Sequence, residues 1–173
     1  MSKTSTIDPA LRSELVALHE EIMWLVARPR VTPSMARAWY THVVAGKFCR
    51  RIRLFSGKVS RAAVSNLNAT LRLEHHARIQ TTLTNLVAAH LKRKRPNPHE
   101  FVRTVIECEK VHIVTFAENY AAMSNNGNYR RAGIELIPWR SITEARRQTL
   151  WTKMLRGKVA NASQFAPKLW SWA

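Results

Sequence analysis

The side chains able to do chemistry in this chain fall in a few short runs. Glu74-His75-His76 is one, and Cys108-Glu109 with His112 is another. His90 and Asn85 lie between them. Imidazole, thiolate and carboxylate are ligands for zinc or iron and proton carriers for hydrolysis. Glu109 and His112 have the Glu-x-x-His spacing that di-iron bundles use, but such sites need the motif on two helices with further glutamates. A zinc site built from His75, His90, Cys108 and His112 is chemically open. The alternative is that His75 and His112 are hydrogen-bonded core residues, because buried polar groups are usually satisfied in that way. That alternative is the expectation, with no cofactor and no catalytic residue assigned.

Glu74-His75-His76 with Asn85 and His90 shares its residue types with HNH nucleases. Those sites stand on a ββα metal finger, whereas this stretch follows a helical period, so the spacing argues against the match. Glu100, Glu107 and Glu118 recur at helical intervals and read as a solvated face. No phosphate-cradling glycine loop, GxSxG or GxGxxG occurs.

The second chemistry is electrostatic. Among 173 residues, 28 Lys+Arg face 11 Asp+Glu, a formal net charge of +17 and a sequence pI near 11.2. Repulsion on that scale opposes a compact state unless a polyanion offsets it, and such a pI is the footprint of a nucleic-acid binder. The excess is uneven: residues 31–95 hold thirteen Lys/Arg and one acid, Glu74. One cluster is Lys47, Arg50, Arg51, Arg53, Lys58 and Arg61, interleaved with Phe48 and Phe55. The run Lys92-Arg93-Lys94-Arg95 is a second, exceeding the one or two charges that a helix C-terminal dipole attracts. Arg130, Arg131, Arg146 and Arg147 extend the candidate surface. Arginine suits bidentate phosphate contacts and stacking on bases. No zinc-finger spacing, aromatic RNA-binding motif or basic zipper is present, so backbone recognition is expected rather than sequence reading.

The elements that must position these groups read as helices. Only five glycines occur and Ala, Leu and Arg are abundant, which favours helix. Asp8-Pro9, Thr32-Pro33 and Asn97-Pro98-His99-Glu100 mark helix starts, and Ser141-Ile142-Thr143-Glu144 reads as a capping box. Gly46 and Gly157 read as stops. Leu71, His75, Ile79, Leu83, Leu86 and His90 predict one long helix. Val105, Cys108, His112, Phe116 and Met123 predict a second from Phe101, packed antiparallel to the first. Residues 129–140 lack a period, and IELI within them suits a short strand. The fold class expected is all-α: a single-domain bundle of about five to seven helices over 1–173, with residues 158–173 docked through Phe165, Trp170 and Trp172.

Two cysteines without CxxC spacing predict reduced, buried thiols. The first residues lack an apolar signal segment, and no stretch is long and apolar enough to span a membrane, so a cytoplasmic location is expected. The functional expectation is a non-catalytic protein binding nucleic-acid backbone, RNA or DNA, with other protein subunits as partners. Its setting would be a nucleoprotein complex, such as a CRISPR-type, plasmid or phage assembly; small helical subunits of such complexes share this general physique. A metal-dependent nuclease using the His/Glu residues and an interaction module docking on an acidic surface are the rival readings. Six tryptophans exceed what one small core requires and suit an interface.

Overall fold

A computed structural model describes residues 8–44 and 48–167. Its chain divides into two compact units, Met1–Arg51 with Ile79–Glu107 and Ile52–Arg78 with Cys108–Ala173. The first unit is helical. The second contains a four-stranded mixed sheet, which corrects the all-α expectation.

In the helical unit, α1 (Pro9–Val26) begins as the sequence predicts, with the Asp8 carboxylate accepting from Ala10 N at 3.1 Å. Thr32 caps α2 (Pro33–Val43) through Met35 N. Asn97 accepts from Glu100 N at 3.1 Å to open α6 (Pro98–Cys108). These caps satisfy donors that a helix start leaves unpaired. Leu11, Leu15, Leu18, His19, Ile22 and Val26 form the buried stripe of α1 at 3-and-4 spacing. Ala36 and Tyr40 of α2, Leu83, Val87 and His90 of α5 (Ile79–Arg93), and Phe101, Val102 and Val105 of α6 supply the rest of its core. Gly46 and Lys47 lie outside the described residues.

The short α3 (Cys49–Ile52) ends the first stretch of the helical unit, and the second unit runs through β1 (Leu54–Ser60), α4 (Arg61–Ser65) and β2 (Leu71–His75). The chain returns as β3 (Lys110–Thr115), followed by α7 (Phe116–Ser124), β4 (Leu136–Pro138) and α8 (Glu144–Leu150). The sheet order is β2-β3-β1-β4, with β1 parallel to β3 and the other two pairings antiparallel. A parallel pair needs a long crossover, and residues 61–109 provide it.

Both long helices predicted over 67–90 and 101–123 are therefore interrupted by strands, and the reason is physical. Residues four apart face the same way at a helical period, but four is also a multiple of two. Leu71 and His75, or Cys108, His112 and Phe116, fit either reading. Leu71-Arg72-Leu73-Glu74-His75 in fact alternates, and Val111, Ile113, Val114 and Thr115 are β-branched, both strand signals. Burial of five of the six β3 residues and hydrogen bonding on both its edges then decide the outcome. The strand suggested within 129–140 is β4.

Phe55, Val59, Ala63, Val111 and Ile113 pack against Trp139, Ile142, Leu150, Met154, Leu155 and Val159. Phe165 lies edge-on to Phe55 at 4.7 Å. Gly57, at φ +77, sits in the bulge of β1, where a Cβ would meet the Phe165 ring at 3.4 Å. The predicted capping box at 141–144 does not form: Thr143 precedes α8 and makes no side-chain cap. α8 ends in a single π turn, Trp151–Leu155, before Gly157 at φ +68. Trp170 and Trp172 lie outside the described residues. Among the described residues, no helix is long and apolar enough to cross a membrane.

The Asn161 amide acts as a substitute strand partner. It accepts from Phe55 N at 2.8 Å and donates to Phe55 O at 2.9 Å. Asn161→Ala leaves both half-buried backbone groups without these bonds, and a net loss of about 2 kcal/mol in urea denaturation is expected; an unchanged midpoint would show that water replaces the amide fully.

Candidate nucleic-acid interface and histidine clusters

The candidate cations are divided between the two units. The helical unit holds Arg50, Arg51 and Lys92 to Arg95. Arg50 is exposed on α3. Arg51 donates to Glu14 at 2.8 Å and to Asp8 at 3.2 Å, and these bonds raise its pKa. Lys92 to Arg95 are all exposed at the end of α5, and Arg93 reaches Glu100 at 3.6 Å. Lys94 has φ 54, so the helix ends inside the basic run.

The sheet unit holds the others. Lys58, Arg130 and Arg131 are exposed, and Arg53 is half-buried with Nε 3.8 Å from Glu109. Arg61 grips Glu135 with two parallel bonds of 2.5 Å. Arg147 donates to Glu144. Arg146 is buried, donating to the backbone oxygens of Ala63 and Asn66, and burial lowers its pKa. Its guanidinium fastens α8 to α4 instead of facing phosphate. Lys47 lies outside the described residues.

Three residues that the sequence reading did not count among the binding candidates make a patch of different character. Phe116, expected on a buried helical face, is 40% exposed, and Tyr120 one turn later is 54% exposed. Their rings meet edge-on at 4.8 Å, and the Arg72 guanidinium lies 5.0 Å from the Phe116 ring. Placement follows from the Thr115 cap of α7, whose hydroxyl accepts from Glu118 N while Glu118 accepts from Thr115 N. The cap puts Phe116 at the first helical position and Tyr120 four residues on, over the same edge. The Phe-x-x-x-Tyr spacing was the available signal.

The sheet unit carries fifteen Lys/Arg against five glutamates. Four of the five hold named partners: Glu109 on His75, Glu118 on Ser60 and the Thr115 amide, Glu135 on Arg61 and Glu144 on Arg147. The fifth, Glu74, is half-buried beside His75 and Arg78, and desolvation raises its pKa. The carboxylates are thus outnumbered threefold and already in use.

The histidines proposed as a possible metal set have separate partners. His90 Nε2 donates to Glu100 at 3.1 Å, and its Nδ1 shares a hydrogen bond with His19 Nε2 at 3.0 Å. Burial, with His90 beside it, lowers the His19 pKa to about 4. His75 lies 3.1 Å from Glu109. Ser56 Oγ accepts from Lys58 N at 3.3 Å and shares a hydrogen bond with His112 Nδ1 at 2.5 Å. The His112 ring also meets Tyr129 at 5.4 Å and His76 at 5.9 Å. Burial, then His76 and Lys58, lower its pKa to about 4. A serine hydroxyl on an imidazole is a nucleophile–base arrangement. Here the imidazole is 5% exposed and burial lowers its pKa, a poor setting for a general base at neutral pH. Among the described residues, no group of three or more His, Cys, Asp or Glu is placed to hold a metal ion. Glu109 lies in the turn before β3 and His112 on the strand, so their spacing is not on a helix.

Compared with family models, curated proteins and solved structures, the chain matches none. What defines it is its own architecture: a helical unit and a mixed α/β unit, both strongly basic.

The buried neutral histidines give a pH dependence with a definite sign. His19 and His112 titrate near 6.5 when unfolded and near 4 when folded. The unfolded chain therefore binds more protons between those values, and stability falls as pH drops from about 6.5 towards 4. Thermal unfolding at pH 5 should lie at least about 5 °C below that at pH 7. His112→Gln should lower stability at pH 7 and flatten this dependence; a profile identical to the parent would remove His112 from the account.

Proposed function

We propose that this protein binds the backbone of single-stranded nucleic acid, as one subunit of a larger nucleoprotein complex. The observation that carries the reading is the surplus of exposed cations over carboxylates that already have internal partners. Fixed positive charge without an internal counterion attracts a polyanion and releases that polymer's condensed ions on binding.

The strand preference comes from Arg72, Phe116 and Tyr120. Unpaired bases stack on exposed aromatic rings, at about 1–3 kcal/mol per base, and an arginine beside the ring adds a cation–π and phosphate contact. Duplex bases are already stacked and gain nothing from such a platform. Likeness to small all-helical subunits no longer supports the reading, because the second unit is built on a sheet. Charge and exposed aromatics support it instead.

Fluorescence anisotropy with labelled 20-nucleotide single strands and the matching duplex tests the proposal. Replacing Lys92 to Arg95 by Gln should weaken both ligands about tenfold or more at low salt while leaving the fold intact, since phosphate contacts position without specifying. Phe116→Ala with Tyr120→Ala should weaken the single strand about tenfold and leave the duplex unchanged. Absence of binding by the parent at low salt overturns the nucleic-acid reading. An equal loss for both ligands in the aromatic variant overturns the stacking role.

A further inference from the structure

The helical unit carries an apolar groove that its core does not use. Trp24 and Leu25 of α1 and Trp39 of α2 line it, with Glu20 and Glu21 at the rim, around a volume of about 520 Å³. Trp24 is 59% exposed and Trp39 39%, while Met35 of α2 is 59% exposed. A tryptophan that far out of a core loses most of the free energy its burial offers. The groove walls are nonetheless fixed. Trp39 Nε1 donates to Glu21 at 2.7 Å, and the Trp39 ring stacks on His42 at 5.4 Å.

Charge around the groove says what would fit it. Glu20 lies one turn before Trp24 and Arg28 one turn after, all at four-residue spacing along α1 and the turn that follows. Arg28 belongs to the same patch, its guanidinium 3.8 Å above the Trp24 ring. An occupant should bring an apolar side chain for the groove and a cation, one helical turn away, for Glu20. The chain itself carries that pattern as Trp24 and Arg28. It is also self-complementary: a two-fold axis through Trp24 sets two copies of α1 antiparallel. Each Glu20 then comes towards the other copy's Arg28, because Glu20 lies about 6 Å along the axis before Trp24 and Arg28 follows Trp24 just past the end of α1. Interfaces of this closed, isologous kind are the commonest in soluble oligomers, and buried tryptophan and arginine are their usual anchors.

We infer that the α1–α2 face is a homodimer interface, in which Trp24 of each copy enters the groove of the other and Glu20 pairs with Arg28 across the axis. The inference is independent of the nucleic-acid reading.

Analytical ultracentrifugation of the full chain, freed of nucleic acid, tests it. The parent should show a concentration-dependent dimer. Trp24→Ala should abolish it, with circular dichroism confirming retained helix. Glu20→Arg and Arg28→Glu should each weaken dimerisation about tenfold or more, since each puts like charges together twice. The double variant, Glu20→Arg with Arg28→Glu, should restore the dimer because the pairs are re-formed with reversed sign. A parent that stays monomeric overturns the inference, as does a dimer indifferent to Trp24→Ala. Single variants that dissociate without rescue by the double variant overturn the antiparallel register.

Discussion

Scarcity of carboxylates is the constraint on which the rest of this structure depends. Eleven acids serve 28 Lys and Arg, and the fold spends them on specific jobs. Asp8 caps α1, and Glu14 anchors Arg51. Glu21 fixes the indole of Trp39, and Glu100 ends the chain of bonds through His90 and His19. Glu118 closes the cap of α7 while also accepting from Ser60, tying that helix start to the end of β1 at 2.5 Å. Each acid so used is unavailable to offset the remaining surface cations. The protein's charge is therefore a property of its surface that intramolecular pairing does not cancel.

The same scarcity governs the interior. A buried imidazole needs a partner for its ring nitrogens, either a carboxylate or neutral polar groups. His90 has Glu100, whose oxygen completes the series begun at His19. His112 is bonded to Ser56, which is backed by Lys58 N. Burial also pushes up the Tyr129 phenol beside it, with Glu74 contributing. One face of the sheet thus presents neutral polar groups at its centre, while the other is the apolar layer around Phe55, Ile113 and Leu155. Arg146 shows the rule from the cationic side: lacking an acid, its buried guanidinium is held by backbone carbonyls of the α4 turn.

Helix starts were the most legible part of the sequence, because Asp8, Thr32 and Asn97 act through local bonds that no distant contact alters. Strands were less legible. β2 and β3 pair across an insertion of more than thirty residues, and their shared spacing of four hid an alternation that only sheet burial makes decisive. Among the basic residues, exposure of Lys58, Arg130, Arg131 and Lys92 to Arg95 follows simply from charge. Arg146 could not be separated from Arg147 by sequence, since neighbouring helical positions look alike until one of them is turned inward. Phe116 was misplaced for the same reason as β3: with a strand ahead of it, a residue expected on a buried stripe became the exposed first residue of a helix.

The central claim is that uncancelled surface charge draws a polyanion to this protein, and the salt dependence of binding measures that charge directly. Affinity for a single-stranded 20-mer, followed by anisotropy from about 50 to 200 mM NaCl, gives a slope of log K against log salt proportional to the phosphates neutralised. The account predicts a slope of about −4 or steeper, equivalent to roughly six phosphate contacts on a single strand. A slope between zero and about −1 would contradict it, because so few released ions cannot represent a surface with this excess of cations.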